Sequence, residues 1–250
     1  THHFYELATP AAHARLLERF AARPEPWSLS AYSVLNEAVA CGIQMLAEKR
    51  MRQPEDYAKF LADVDNVYFD PFITRAGRAV TPIVEQYLAE GRTVFEPAFV
   101  DAYMQAAAKE LGALSDSPRF RLSSCALLAN AAGKAAKDEF LASVRTIASL
   151  DSWDDLRHAS HLSAAVFLSG RDLTLLRRSH TVIPANIIHE VTQAARKRPG
   201  FVYAWSRSPK AVVYILYGRD PARLQGVVKA FAENDKPFIG FWTPATSSKY

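Results

Sequence analysis

Apolar residues recur along this chain at two different periods. Up to about residue 180 they return every three or four positions, the spacing of one helix face. Leu16, Leu17 and Phe20 share a side of a helix that opens at Thr9-Pro10, runs to about Ala22 and is broken by Pro24 and Pro26. Tyr32, Leu35, Val39, Ile43 and Leu46 form the next stripe, with Ser28 or Ser30 as its cap and Lys49-Arg50 at its carbonyl end, where the helix dipole favours cations. Pro54 suits the first turn of a third helix. A fourth runs from about Pro71 or Thr74 to Glu90 and stops at Gly91, and a fifth begins at Glu96-Pro97 and stops at Gly112. Phe4 to Leu7 reads as a short strand and Asn66 to Asp70 as an aromatic link. The Ala-rich run from about Leu122 to Leu150 predicts one long helix or two with a break near Gly133. Asp151 or Ser152 would cap a further helix through Leu168, ended by Gly170.

From Pro184 to Trp242 the pattern changes. Ile187, Ile188, Val191 and Ala195 make a helix face closed by Arg196-Lys197-Arg198, and Pro199-Gly200 ends it. Phe201 to Ser206 and Ala211 to Tyr217 are β-branched and aromatic, so they predict two strands joined by a four-residue loop, Arg207 to Lys210. Asp220-Pro221 starts a last helix, and Phe238 to Trp242 predicts a last strand. The fold class is therefore α+β: a helical body over 1–180, then a small α-β-β-α-β module with an antiparallel sheet over 181–250. That order is most of a ferredoxin-like unit lacking its first strand, which Thr181-Val182-Ile183 or Phe4 to Leu7 could supply. Pairing Ser206 with Ala211 would put Phe201, Tyr203, Trp205, Val212, Tyr214 and Leu216 on one sheet face. Such a face is either core under the helical body or a surface on which bases stack.

Charge sharpens the second alternative. The net charge is +4, but residues 1–150 carry 16 Lys and Arg against 18 Asp and Glu, whereas residues 151–250 carry 14 against 8. An excess of cations in one half suits a polyanion. Arginines cluster at 171–178, 196–198 and 207–223. The candidate nucleic-acid contacts are thus Arg177, Arg178, Arg196, Lys197, Arg198, Arg207, Lys210, Arg219 and Arg223, with Tyr203, Trp205 and Tyr214 as stacking rings. The lysine-glycine-aromatic signature of RNA-recognition sheets is missing, since Lys210 to Tyr217 contains no glycine.

Other chemistry has fewer supports. On a continuous helix His158 and His161 would share a face, with Asp154 four residues before His158, a partial metal or proton-relay set. His180 follows Arg177-Arg178-Ser179, and His189 precedes Glu190, so each is a candidate acid or base. No phosphate-cradling glycine loop, dinucleotide fingerprint or strained nucleophile elbow occurs, and no cofactor is implied. Cys41 and Cys125 sit in apolar helical contexts as buried small hydrophobes, which points to the cytoplasm, and no apolar run is long enough for a bilayer. The leading expectation is a non-enzymatic protein that binds RNA or single-stranded DNA. The alternatives are a protein-interaction subunit of a larger complex and a histidine-dependent enzyme or metal binder.

Overall fold

The structure is a computed structural model describing residues 9–63, 71–144, 148–159 and 161–244. The chain divides into two compact units, Thr1–Ser115 and Asp116–Tyr250. The class is α+β, with helices first and the sheet in the second unit. No helix among the described residues is long and apolar enough to cross a membrane.

The first unit contains α1 (Pro10–Ala22), α2 (Ser28–Met51), α3 (Pro54–Ala62), α4 (Pro71–Ala89) and α5 (Pro97–Leu111). Thr9 caps α1 as its sequence suggests, its hydroxyl accepting from the Ala12 N–H at 3.3 Å. Neither Ser28 nor Ser30 caps α2; Trp27 stands at that position without a side-chain cap. Contacts between α2 and α4 advance together along both chains, from Cys41 beside Gly77 to Lys49 beside Glu85, so the two helices run in the same direction. Gly77 permits the close approach, because a Cβ there would stand 2.6 Å from the Cys41 sulfur. Burial pushes the Cys41 thiol up to about 12, and both cysteines are free and buried. Phe4 to Leu7 and Asn66 to Asp70 lie outside the described residues.

The second unit holds α6 (Pro118–Arg121), β1 (Ser124–Ala129), α7 (Lys134–Val144), β2 (Ala148–Leu150), α8 (Trp153–His158), β3 (Ser163–Ser169), α9 (Thr174–Arg177), α10 (Ala185–Lys197), β4 (Gly200–Ser208), β5 (Ala211–Gly218), α11 (Pro221–Ala232) and β6 (Gly240–Trp242). Its six strands form one sheet in the order β2-β1-β3-β5-β4-β6. The first four positions are mutually parallel, and β4 and β6 are antiparallel to their neighbours.

Three strands replace helices expected from the sequence. Leu122 to Leu150 contains β1 and β2, with the α-helix α7 between them, and the segment from Asp151 to Leu168 stops being helical at His158 and becomes β3. Cys125–Leu128 in β1 and every residue of β3 are buried. Strands covered on both faces lose the alternation that marks a half-exposed strand, and short apolar runs then imitate helix. Because β1 and β3 belong to the same sheet as β4 and β5, the expected division at residue 180 falls inside the second unit.

The expected order α-β-β-α-β is observed as α10-β4-β5-α11-β6, and the strand before it, β3, pairs in parallel with β5. The arrangement is not ferredoxin-like, however, because β6 pairs with β4 at the sheet edge and not with β3. Two details of the hairpin differ as well. The hairpin turn is two residues, Pro209-Lys210, and a bulge between Ser206 and Ser208 pairs Ser206 with Val212 and Trp205 with Val213. That one-residue slip regroups the side chains. Phe201 and Tyr203 join Val213, Ile215 and Tyr217 on the face covered by α8 to α10. Val202 and Ala204 join Val212, Tyr214 and Leu216 on the face covered by α7 and α11. The helices α10 and α11 thus lie on opposite faces, so the sheet has a core on each side.

Candidate functional site

The tripeptide Gly-Arg-Asp occurs twice, as Gly170-Arg171-Asp172 after β3 and as Gly218-Arg219-Asp220 at the end of β5. Those strands are parallel neighbours in register, Ser169 opposite Gly218, so both tripeptides emerge at the same sheet edge. Gly170 takes a positive φ of 77°, and its N–H donates to the Gly218 carbonyl at 2.9 Å. Each aspartate then serves the helix that follows. Asp172 accepts from the Thr174 N–H at 3.0 Å, and Asp220 accepts from the Arg223 N–H at 2.9 Å. The two arginines between glycine and aspartate are left facing a common space.

That space is a cavity of about 620 Å³ lined by Arg171, Arg177, Arg196 and Arg219, together with Leu173, Thr192, Ala195 and Tyr217. Arg177 ends α9, and Arg196 lies in the last turn of α10. Among the described residues none of these four arginines has a carboxylate within ion-pair distance or a side-chain hydrogen bond. The floor is apolar and already satisfied: the Tyr217 hydroxyl donates to the Ala195 carbonyl at 3.1 Å, and the Thr192 hydroxyl to the Ile188 carbonyl at 2.7 Å. Burial raises the Tyr217 phenol above its ordinary value, while the fields of Arg219 and Arg171 act in the opposite direction. The hydrogen bond from the Thr174 N–H holds the Asp172 carboxyl below its ordinary value, helped by the charges of Arg177 and Arg178.

In parallel sheets ligands favour the carboxyl ends of strands where the chain reverses its direction of travel across the sheet. Here that reversal lies between β1 and β3, and Asn130 closes it. Its amide donates to the Ser169 and Asp172 carbonyls at 2.9 and 2.8 Å, and its oxygen accepts from the Ser169 N–H at 3.1 Å. Gly133 makes room for this clasp, since a Cβ there would stand 2.5 Å from the Phe167 carbonyl oxygen. The cavity is consequently displaced by one strand, to the ends of β3 and β5.

Of the residues singled out from the sequence, Arg177, Arg196 and Arg219 meet in the cavity. Arg178, Lys197 and Arg223 are exposed but do not line it. Arg198 lies over the Phe241 ring at 4.3 Å. Arg207 is structural: its guanidinium donates to the Leu156 and Ala159 carbonyls at 2.9 and 3.2 Å, satisfying the end of α8. Lys210 sits in the hairpin turn, and its carbonyl accepts from Arg121. Tyr203 and Tyr214 are 6% and 1% exposed, so their rings are core and offer no stacking surface. The Tyr203 hydroxyl donates to Glu190, and Trp205 packs half-buried against the same core.

The histidine sets are not assembled. The helix α8 ends at His158, which removes the shared helical face assumed for His158 and His161, and Asp154 is exposed on its first turn. Among the described residues no three His, Cys, Asp or Glu side chains are grouped to hold a metal. His161 is lowered by burial, with Arg207 adding to the effect. His180 and His189 are exposed. Sequence reasoning missed the apolar floor of Leu173, Ala195 and Tyr217, although the repeated Gly-Arg-Asp was a readable sign of two equivalent turns. No family model, no curated protein and no solved structure matches this chain.

Proposed function

We propose that this chain binds nucleic acid through its phosphates, using the arginine-lined cavity as the principal seat. One observation carries the reading: Arg171, Arg177, Arg196 and Arg219 line a single cavity, and among the described residues none of them is in ion-pair contact with a carboxylate. Guanidinium forks match phosphate oxygens in two-pronged hydrogen bonds. The charge of the surrounding unit supports the same conclusion, since residues 116–250 carry 19 Lys and Arg against 11 Asp and Glu. Base stacking on Tyr203 and Tyr214 forms no part of this reading, because both rings are buried. The exposed Arg178, Lys197 and Arg223 supply outlying contacts to the same strand.

Fluorescence anisotropy with unstructured RNA and single-stranded DNA at two salt concentrations tests it. Affinity should fall steeply with salt, and the double variant Arg177→Ala/Arg196→Ala should flatten the logarithmic slope by up to roughly 1.4, about 0.7 for each single-strand phosphate no longer neutralised. Binding that is insensitive to salt, or untouched by the double variant, would refute the proposal.

A further inference from the structure

Resting on that reading, we infer that the cavity takes a terminal phosphate monoester of the nucleic acid, the strand's phosphorylated end, in preference to a phosphodiester within it. Two features of the geometry point there, namely how much charge is concentrated and what lies beneath it.

The four arginines come from four separate segments: the turn after β3, the end of α9, the last turn of α10 and the turn after β5. They surround one cavity of about 620 Å³, within the range of roughly 300–1,000 Å³ typical of small-ligand sites. An internal phosphodiester brings one negative charge and two free oxygens. A terminal monoester brings about −1.5 to −2 charges near neutral pH and three strong acceptor oxygens. Each guanidinium offers five N–H donors and stays charged at any relevant pH. Four of them in one place, none in ion-pair contact with a carboxylate among the described residues, therefore match the monoester better than the diester.

The floor supplies the second argument. Leu173, Ala195 and Tyr217 line the same cavity as the arginines and belong to the apolar core of that sheet face. The polar atoms of Tyr217 and Thr192 are already bonded to backbone carbonyls. A bare phosphate would leave such a floor unused, whereas the sugar and base attached to a terminal phosphate can cover it without meeting a competing hydrogen-bond donor. The floor bears no base-specific group, so the end should be recognised without regard to its base.

Asp172 and Asp220, the carboxylates of the two tripeptides, are turned to the N–H groups of Thr174 and Arg223. Their sequence positions place them beside the cavity, and these bonds hold them to the backbone.

The test uses the full chain and three single-stranded oligonucleotides of one sequence, labelled internally: one with a 5′-phosphate, one with a 3′-phosphate and one with hydroxyls at both ends. At least one phosphorylated form should bind about tenfold tighter than the hydroxyl form, the scale of a charged hydrogen bond. Arg177→Ala/Arg196→Ala should abolish that advantage. Arg223→Ala, exposed and outside the cavity, should weaken all three oligonucleotides alike, and circular dichroism of both variants verifies that they remain folded. The advantage should shrink below about pH 6, where the monoester takes up its second proton. Equal binding of the three oligonucleotides overturns the end-recognition inference and leaves the nucleic-acid reading in place. No binding of any of them overturns both.

Discussion

The arginines that line the cavity of the second unit are held quite differently from the paired arginines of the first. In the first, Arg23 bonds Glu25 and Asp101 at 2.7 and 2.6 Å, Arg52 bonds Glu48 at 2.6 Å, and Arg92 bonds Glu90 and Glu96 at 3.0 and 2.8 Å. In the second, the four cavity arginines have no such partner among the described residues. The charge totals agree with this contrast: residues 1–115 hold 11 Lys and Arg against 15 Asp and Glu, and residues 116–250 hold the reverse excess, 19 against 11. Partnered arginines tie helices and turns together at the surface, each worth little individually. Unpartnered arginines around a cavity repel one another, a cost that an anionic ligand would relieve. The lesson is that the overall charge of +4 understates the basicity of the sheet unit, since the helical unit masks half of it.

The contrast can be broken most severely through packing. A Cβ at Gly218 would collide with the backbone of Leu224 in α11, whereas one at Gly77 would meet the side chain of Cys41. Gly218→Ala should therefore destabilise by about 1–3 kcal/mol, the cost of overpacking. Gly77→Ala should cost less, because its approaches of 2.6 and 2.8 Å to the Cys41 sulfur and Cβ are wider than those to the Leu224 nitrogen and Cα at Gly218. Urea denaturation midpoints of the two variants decide the order, and a larger loss for Gly77→Ala would contradict it.

Next in size is the binding contrast. Arg177→Ala/Arg196→Ala should weaken nucleic-acid binding by about 1.5–3 kcal/mol for each charged hydrogen bond removed. Arg23→Ala and Arg92→Ala in the first unit should leave binding unchanged and shift the denaturation midpoint only slightly, as surface ion pairs do. Anisotropy and denaturant melts on the same preparations measure both. A strong binding defect from Arg92→Ala would mean that the helical unit shares in the interface.

The smallest effect sharpens the site itself. Asp172 is depressed in the folded state, so its contribution to stability is present above its unfolded pKa of about 4 and is lost as pH falls through the lower folded value. Asp172→Asn should keep an acceptor for the Thr174 N–H while removing one negative charge from the neighbourhood of Arg177 and Arg178. Nucleic-acid affinity should then rise about two- to threefold, and the acid limb of the stability profile should flatten. Weaker binding would show instead that the carboxylate positions the arginines.

Much of the helical unit was legible because its stripes are amphipathic and its boundaries carry Pro and Gly. Thr9-Pro10, Pro54, Glu96-Pro97 and Gly112 all mark observed ends. In the second unit Asp220 caps α11 as its sequence suggests, yet β1 and β3 read as helix, because Cys-Ala-Leu-Leu and Ala-Ala-Val-Phe-Leu are apolar at every position. The arginines of the site were visible singly. Their convergence was hidden, because Arg171 and Arg219 are 48 residues apart and meet only through the parallel pairing of β3 with β5.

By itself the sequence determined the fold class, the basic character of the C-terminal part and the order of elements from α10 to β6. These follow from local rules: period, capping residues and composition act over a few positions and need no partner. Only the tertiary structure decided the hairpin register, the membership of β1 to β3 in the sheet and the gathering of four arginines around one floor. Each of these depends on which distant segments become neighbours. A single bulge after Ser206 turned the expected aromatic surface into two halves of a core, and a parallel strand pair brought the two Gly-Arg-Asp turns side by side.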